Sequence, residues 1–161
     1  MKSLTVLLAI GALALTAGPA AAASTITMDL KPDLSAGASC AEGEFGFGLD
    51  IRSPAGRPLG TGQTCIASIE GCDPFTPFCR QVVNATLTFY LARGSLTVAA
   101  RLVEIHPTES SFIQFGRGEV SAGTGAYAGA TGHLTGGGAG SFDDQLDFTG
   151  HLLYVARVSS F

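Results

Sequence analysis

The sequence predicts an all-β chain, a sandwich or a closed barrel, with antiparallel closure favoured. Three observations carry that reading. Apolar residues recur at period two in several stretches between about residues 43 and 158, the pattern of half-buried strands. Nowhere beyond the first residues does the i, i+3, i+4, i+7 pattern persist for the length of a helix. The 22 glycines and 7 prolines fall both between and within these stretches. Seven or eight strands joined by Gly/Pro turns suit either architecture, and small barrels need glycine where strands bend sharply.

Residues 1–23 read as a secretory signal peptide: Lys2 is the basic start, Leu4 to Ala17 the apolar run, and Ala21, Ala22 and Ala23 the small-residue cleavage site. The remaining residues, 24–161, suit one domain. Loss of Lys2 leaves 8 basic against 13 acidic residues, without a Lys/Arg cluster, so neither nucleic acid nor an anionic membrane is the expected partner. The expected location is secreted or periplasmic. An even cysteine count in an exported chain implies two disulfides. Cys40, Cys65, Cys72 and Cys79 allow three pairings, and loop economy favours Cys40 with Cys65 and Cys72 with Cys79. The spacing lacks the close pairs of a structural zinc site, so no metal is expected.

Taken in order, residues 24–40 hold a short alternation, Ile26, Met28 and Leu30, broken by Lys31 and Pro32. They are expected to form an edge strand or an ordered arm. Phe45, Phe47, Leu49 and Ile51 alternate with polar residues and glycine as the first full strand, closed by the turn Pro54 to Pro58. A second strand runs from about Gln63 to Glu70, ahead of the loop between Cys72 and Cys79. Gln81 to Ala92 and Ser95 to His106, rich in β-branched and aromatic residues, read as a hairpin turning at Arg93 and Gly94. A fifth strand starts at Phe112. The last, Leu146 to Val158, puts Leu152, Tyr154, Ala156 and Val158 on one face. Its other face, with Leu153 and Val155, stays half apolar, which suggests contact with another subunit or with the N-terminal arm.

Ten of the 22 glycines fall between Gly116 and Gly140. A phosphate-binding loop does not fit, because Gly123, Gly125 and Gly129 miss the dinucleotide spacing and no helix follows. A flexible linker would expose Val120, Tyr127 and Leu134. Curved strands fit, with a tight link from Gly125 to Gly129, a further turn at Gly136 to Gly138, and Tyr127 buttressing the link. Within this run, Gly123, Thr124, Gly125, Tyr127, Gly129, Ala130 and Gly132 form a GTGxYxGAxG pattern. It resembles the signature of the allene oxide cyclase and dirigent-protein superfamily. The resemblance implies an eight-stranded antiparallel β-barrel with an interior cavity, often trimeric. It also implies work without metal or organic cofactor, in which a small apolar molecule is held for cyclisation or stereoselective coupling.

The matching residues are structural, so candidates for chemistry come from strand parity. Glu104 and His106 share a face with Leu96, Val98, Ala100 and Leu102. An inward Glu104 in an apolar barrel can act as acid or base, or stabilise a developing cation; a salt bridge to Arg101, Arg117 or another rim arginine is its structural role otherwise. Tyr90 and Tyr154 can each offer a phenol to a ligand, and Asp50 contributes only if it faces inward. His106, His133 and His151 lack the spacing of a metal site or triad, and Asp143, Asp144 and Asp147 read as a solvated turn. The expected function is an exported barrel that binds a small apolar molecule and directs its cyclisation or coupling. The alternatives are a non-catalytic carrier and a structural barrel filled by its own side chains.

Overall fold

The computed structural model describes residues 23–72 and 76–159. The strands are β1 (Ala23–Gly37), β2 (Phe45–Arg52), β3 (Pro58–Gly71), β4 (Cys79–Leu91), β5 (Gly94–His106), β6 (Ser111–Gly123), β7 (Thr131–Phe142) and β8 (Phe148–Ser159). Each pairs antiparallel with the next, and β8 returns to β1, giving a closed barrel in simple up-and-down order. The expected signal peptide lies outside the described residues except for Ala23, which opens β1.

Alternation decides which residues fill the barrel. On β4 and β5 every second residue from Val83 to Phe89 and from Leu96 to Leu102 is buried. Their neighbours, such as Arg101, face outward. Met28, Leu30, Ile51, Phe89, Leu96, Val98, Leu134, Tyr154 and Ala156 pack the interior towards the end formed by the β4–β5 and β6–β7 links. At that end Thr124 accepts the Ser95 amide on Oγ1 at 3.0 Å, and Ala126 donates to the Arg93 carbonyl at 2.8 Å. The 3-10 turn Gly125–Tyr127 is thereby laid across the hairpin. Gly125 and Gly129 have φ of 58° and 70°, the left-handed region that favours glycine.

Four expectations change. Residues 24–40 form neither an arm nor an edge, because β1 closes the barrel between β8 and β2. Pro32 does not break it: the β1–β8 ladder ends at Leu30 and Leu152, while Pro32 pairs with Leu49 on the other side. Its missing N–H therefore costs no β1–β8 rung. The half-apolar outer face of β8 is not covered by the N-terminus, which lies beside β8 in the sheet, and Leu153 is 45% exposed. Gly136 to Gly138 are not a turn but the middle of β7. Side chains there would collide with the adjoining strands, Gly136 with Leu153 and Tyr154, Gly137 with Gln114 and Phe115, Gly138 with His151. Leu146 belongs to the loop before β8.

The far end is bounded by residues 38–44, 72, 76–78, 107–110 and 143–147, and both disulfides sit there. Cys40–Cys65 ties the β1–β2 loop to β3 and Cys72–Cys79 closes the β3–β4 loop, the pairing that loop economy favours. Their sequence separations of 25 and 7 correspond to roughly 3.5 and 2.4 kcal/mol of restricted unfolded-chain entropy. Two disulfides suit an extracellular or periplasmic protein. No helix of the described residues is long and apolar enough to cross a membrane.

A Cβ at Gly138 would overlap the His151 carbonyl oxygen, whereas one at Gly37 would meet nothing within 4 Å. Gly138→Ala is expected to cost about 1 to 3 kcal/mol, a fall in Tm of roughly 5 to 10 °C. Gly37→Ala should stay within about 0.5 kcal/mol of the parent. Thermal unfolding of the two variants measures both.

Candidate functional site

The barrel is not packed throughout. Above Leu49, Leu87 and Leu102 a cavity of about 410 Å³ opens towards the disulfide-bearing end, and a recess of about 40 Å³ lies deeper, against Leu152 and Tyr154. An eight-stranded barrel is just wide enough for side chains to fill or for one small ligand, and here each outcome occupies one half. The cavity walls are apolar. Phe45 and Phe47 of β2 stand on one side, Phe112 of β6 and Phe142 of β7 on the other, with Ile66, Ile69, Val83 and Leu146 between them. Phe112 stacks on Phe142 with ring centres 5.9 Å apart.

Deep in the cavity the polar lining is one hydrogen-bonded cluster, with Glu109, Ser110 and Asp143 on the loops at its opening. Gln81 of β4, Glu104 and His106 of β5, and Gln114 of β6 occupy inward positions, brought level by the pairs Gln81↔Glu104 and Glu104↔Gln114. Glu104 accepts from Gln81 Nε2 at 2.9 Å on Oε2 and from Gln114 Nε2 at 2.6 Å on Oε1. Tyr154 of β8 donates its hydroxyl to Gln114 Oε1 at 2.6 Å. The second Gln81 amide proton faces His106 Nε2 at 2.9 Å, so that ring nitrogen is the acceptor and the ring proton sits on Nδ1. Both amide orientations are fixed by this network, since turning either would set a carbonyl against the carboxylate. Burial first, then the charge of Glu104, holds the Tyr154 phenol above its ordinary value of 10.0, so it serves as a neutral donor.

Of the residues singled out in the sequence, Glu104, His106 and Tyr154 therefore meet in one network. Glu104 has no arginine partner: Arg101 and Arg117 lie on the outer face, and its charge is met by two amides, with His106 Nε2 3.5 Å away. Tyr90 and Asp50 are elsewhere. Both point out of the barrel, because Phe89 and Ile51, their neighbours of opposite parity, are 0% exposed inside it. Asp50 is paired with Arg52 at 2.7 Å and Tyr90 is 48% exposed. The glycine-motif residues Gly123 to Gly132 build the opposite end and line no part of the cavity. Gln81 and Gln114 escaped the sequence reading, although each shares parity with buried apolar residues of its own strand.

Chemically, the cluster is an anionic group at the foot of an apolar chamber. Gln81 Oε1 is the one fully buried side-chain polar atom among the described residues without a hydrogen-bond partner. Cys40, Glu44 and Cys65 lie close enough to hold a metal ion, yet both sulfurs are spent in a disulfide and offer no thiolate. Asp143 forms a turn, accepting the Gln145 and Asp147 amides on one oxygen at 2.9 Å each.

Tyr154→Phe leaves Gln114 Oε1 without its donor and is expected to cost about 1 to 3 kcal/mol at neutral pH. The phenol also sets an alkaline limb. Above pH 10.0 an unfolded Tyr154 loses its proton while the folded one keeps it, so the unfolded state binds fewer protons and stability falls as pH rises. The slope approaches about 1.4 kcal/mol per pH unit. Denaturant unfolding between pH 8 and 11 should show this limb in the parent and lack that component in Tyr154→Phe.

No protein-family model matches the chain, and neither a curated protein nor a solved structure matches it.

Proposed function

We propose that the chain is an exported barrel that takes up a small, mainly apolar molecule through its disulfide-bearing end. The observation that carries this reading is the cavity of about 410 Å³, walled by phenylalanine and aliphatic side chains with one convergent polar cluster. That volume lies in the usual range for small-molecule sites, and so does the ratio of many apolar walls to few fixed polar groups. Two disulfides brace the loops around the opening, which supports export and a mouth whose shape persists without ligand. The signal-peptide pattern in residues 1–23 supports the same localisation.

A second reading, that the barrel directs cyclisation or coupling of its ligand, is favoured by one feature. Glu104 accepts hydrogen bonds from two amides and has no arginine or lysine partner, so its carboxylate can face positive charge developing on a reacting molecule. Orientation and exclusion of water by the walls supply the rest of such catalysis, with no cofactor. The GTGxYxGAxG resemblance agrees with this reading and with the barrel's strand order.

Val83 borders both the cavity and its recess and is 2% exposed. Val83→Phe is expected to fill part of the chamber and weaken binding of the uncharged dye phenylnaphthylamine by about tenfold or more, with thermal stability near that of the parent. Equal dye binding by parent and variant would place the dye elsewhere and remove the cavity as the binding site. Molecules extracted from the purified parent then serve as substrates: if the barrel is an enzyme, Glu104→Gln should lower turnover by about two orders of magnitude.

A further inference from the structure

We infer that the molecule bound in the cavity carries a positive charge, and that the ligand class is an apolar amine or other organic cation rather than a fatty acid or carboxylate. This rests on the binding reading above and adds to it the chemistry of the ligand's polar end.

The first support is a count of hydrogen-bonding capacity in the cluster. The Tyr154 hydroxyl, one Gln114 amide proton and both Gln81 amide protons are spent on members of the cluster itself. What remains as donor is one Gln114 proton and the His106 ring proton. What remains as acceptor at the cavity is the further lone pairs of both Glu104 oxygens, the unpartnered carbonyl of Gln81 being itself fully buried. Such a site is completed by a ligand that donates.

The second support is charge. Glu104 lines the chamber, Glu109 and Asp143 stand among the residues that border it, and no lysine or arginine among the described residues does. A carboxylate ligand would meet like charge from foot to rim, with only one Gln114 proton and the His106 ring proton to offset its desolvation. A cation instead meets an acidic opening that draws it in and a carboxylate that pairs with it in the interior. The walls agree. Phe45 and Phe47 on β2 face Phe112 and Phe142 on β6 and β7 across the barrel, and aromatic faces attract desolvated cations.

The test uses three probes of one chain length, octylammonium, octanol and octanoate, titrated calorimetrically into the full mature protein at pH 7. Octylammonium is expected to bind at least about tenfold more tightly than octanol, the size of one charge-assisted hydrogen bond, and octanoate most weakly. Glu104→Gln should bring octylammonium down to the affinity of octanol while octanol itself changes little. Should that variant fail to fold, Glu109→Gln with Asp143→Asn keeps the charge question open to measurement, since octylammonium affinity should drop and octanoate affinity rise. Octanoate binding as tightly as octylammonium overturns the inference and leaves the apolar-cavity reading standing. Octanol binding as tightly as octylammonium does the same. Failure of all three probes to bind overturns both.

Discussion

Closure of eight strands around a narrow interior is the constraint on which the rest depends, and it is met by a wall in which glycine takes about half of the inward positions. On β6 and β7 the inward positions include Gly116, Gly118, Gly136, Gly138 and Gly140, so those backbones approach their neighbours more closely than any larger residue allows. Leu102, Val98 and Tyr154 lean into the space a Cβ would take at Gly116, Gly118 and Gly136. Glycine in a strand weakens it intrinsically. Here that loss is offset by burial of large side chains from the neighbouring strands, each contributing about 1.5 to 3 kcal/mol.

The same wall explains where Tyr154 lies. Its ring is 1% exposed beside Gly136, and its hydroxyl reaches Gln114 on the far side of β7. A tyrosine so deep must find an acceptor, and Gln114 relays that requirement to Glu104. Packing in the closed half and polarity in the open half are thus one problem. The glycines admit the tyrosine, the tyrosine fixes the glutamine, and the glutamine fixes the carboxylate at the foot of the cavity. A half-buried carboxylate met by two amide donors and no arginine or lysine is a costly arrangement for stability alone, which is the physical reason to look for its purpose in a ligand.

Much of this was legible in the sequence, and the residues show why. Period-two alternation on Val83 to Phe89 and Leu96 to Leu102 reports burial directly, because consecutive side chains leave a strand on opposite sides. Parity therefore grouped Glu104, His106 and Tyr154 with the apolar faces of their strands, and the structure turns those faces inward. Parity left Asp50 undecided, since glycines faced the apolar positions of its strand and either side was open. Tyr90 shows the opposite failure: a ligand-capable side chain was weighed by type, although Phe89 beside it already claimed the interior. Gly136 to Gly138 were read as a turn because a glycine triplet usually marks one. Only the strands beside them reveal that they are there to admit neighbours.

By itself the sequence determined the all-β class and the division of most strands into two faces, and loop economy favoured the disulfide pairing, since these follow from local periodicity and short-range loop closure. The tertiary structure alone decided that β1 seals the barrel, that half the interior is filled and half open, and that Gln81, Glu104, His106, Gln114 and Tyr154 form one network. Those features depend on the register between strands far apart in the chain. Register is set by how the closed sheet packs as a whole, and no local pattern of residues encodes it.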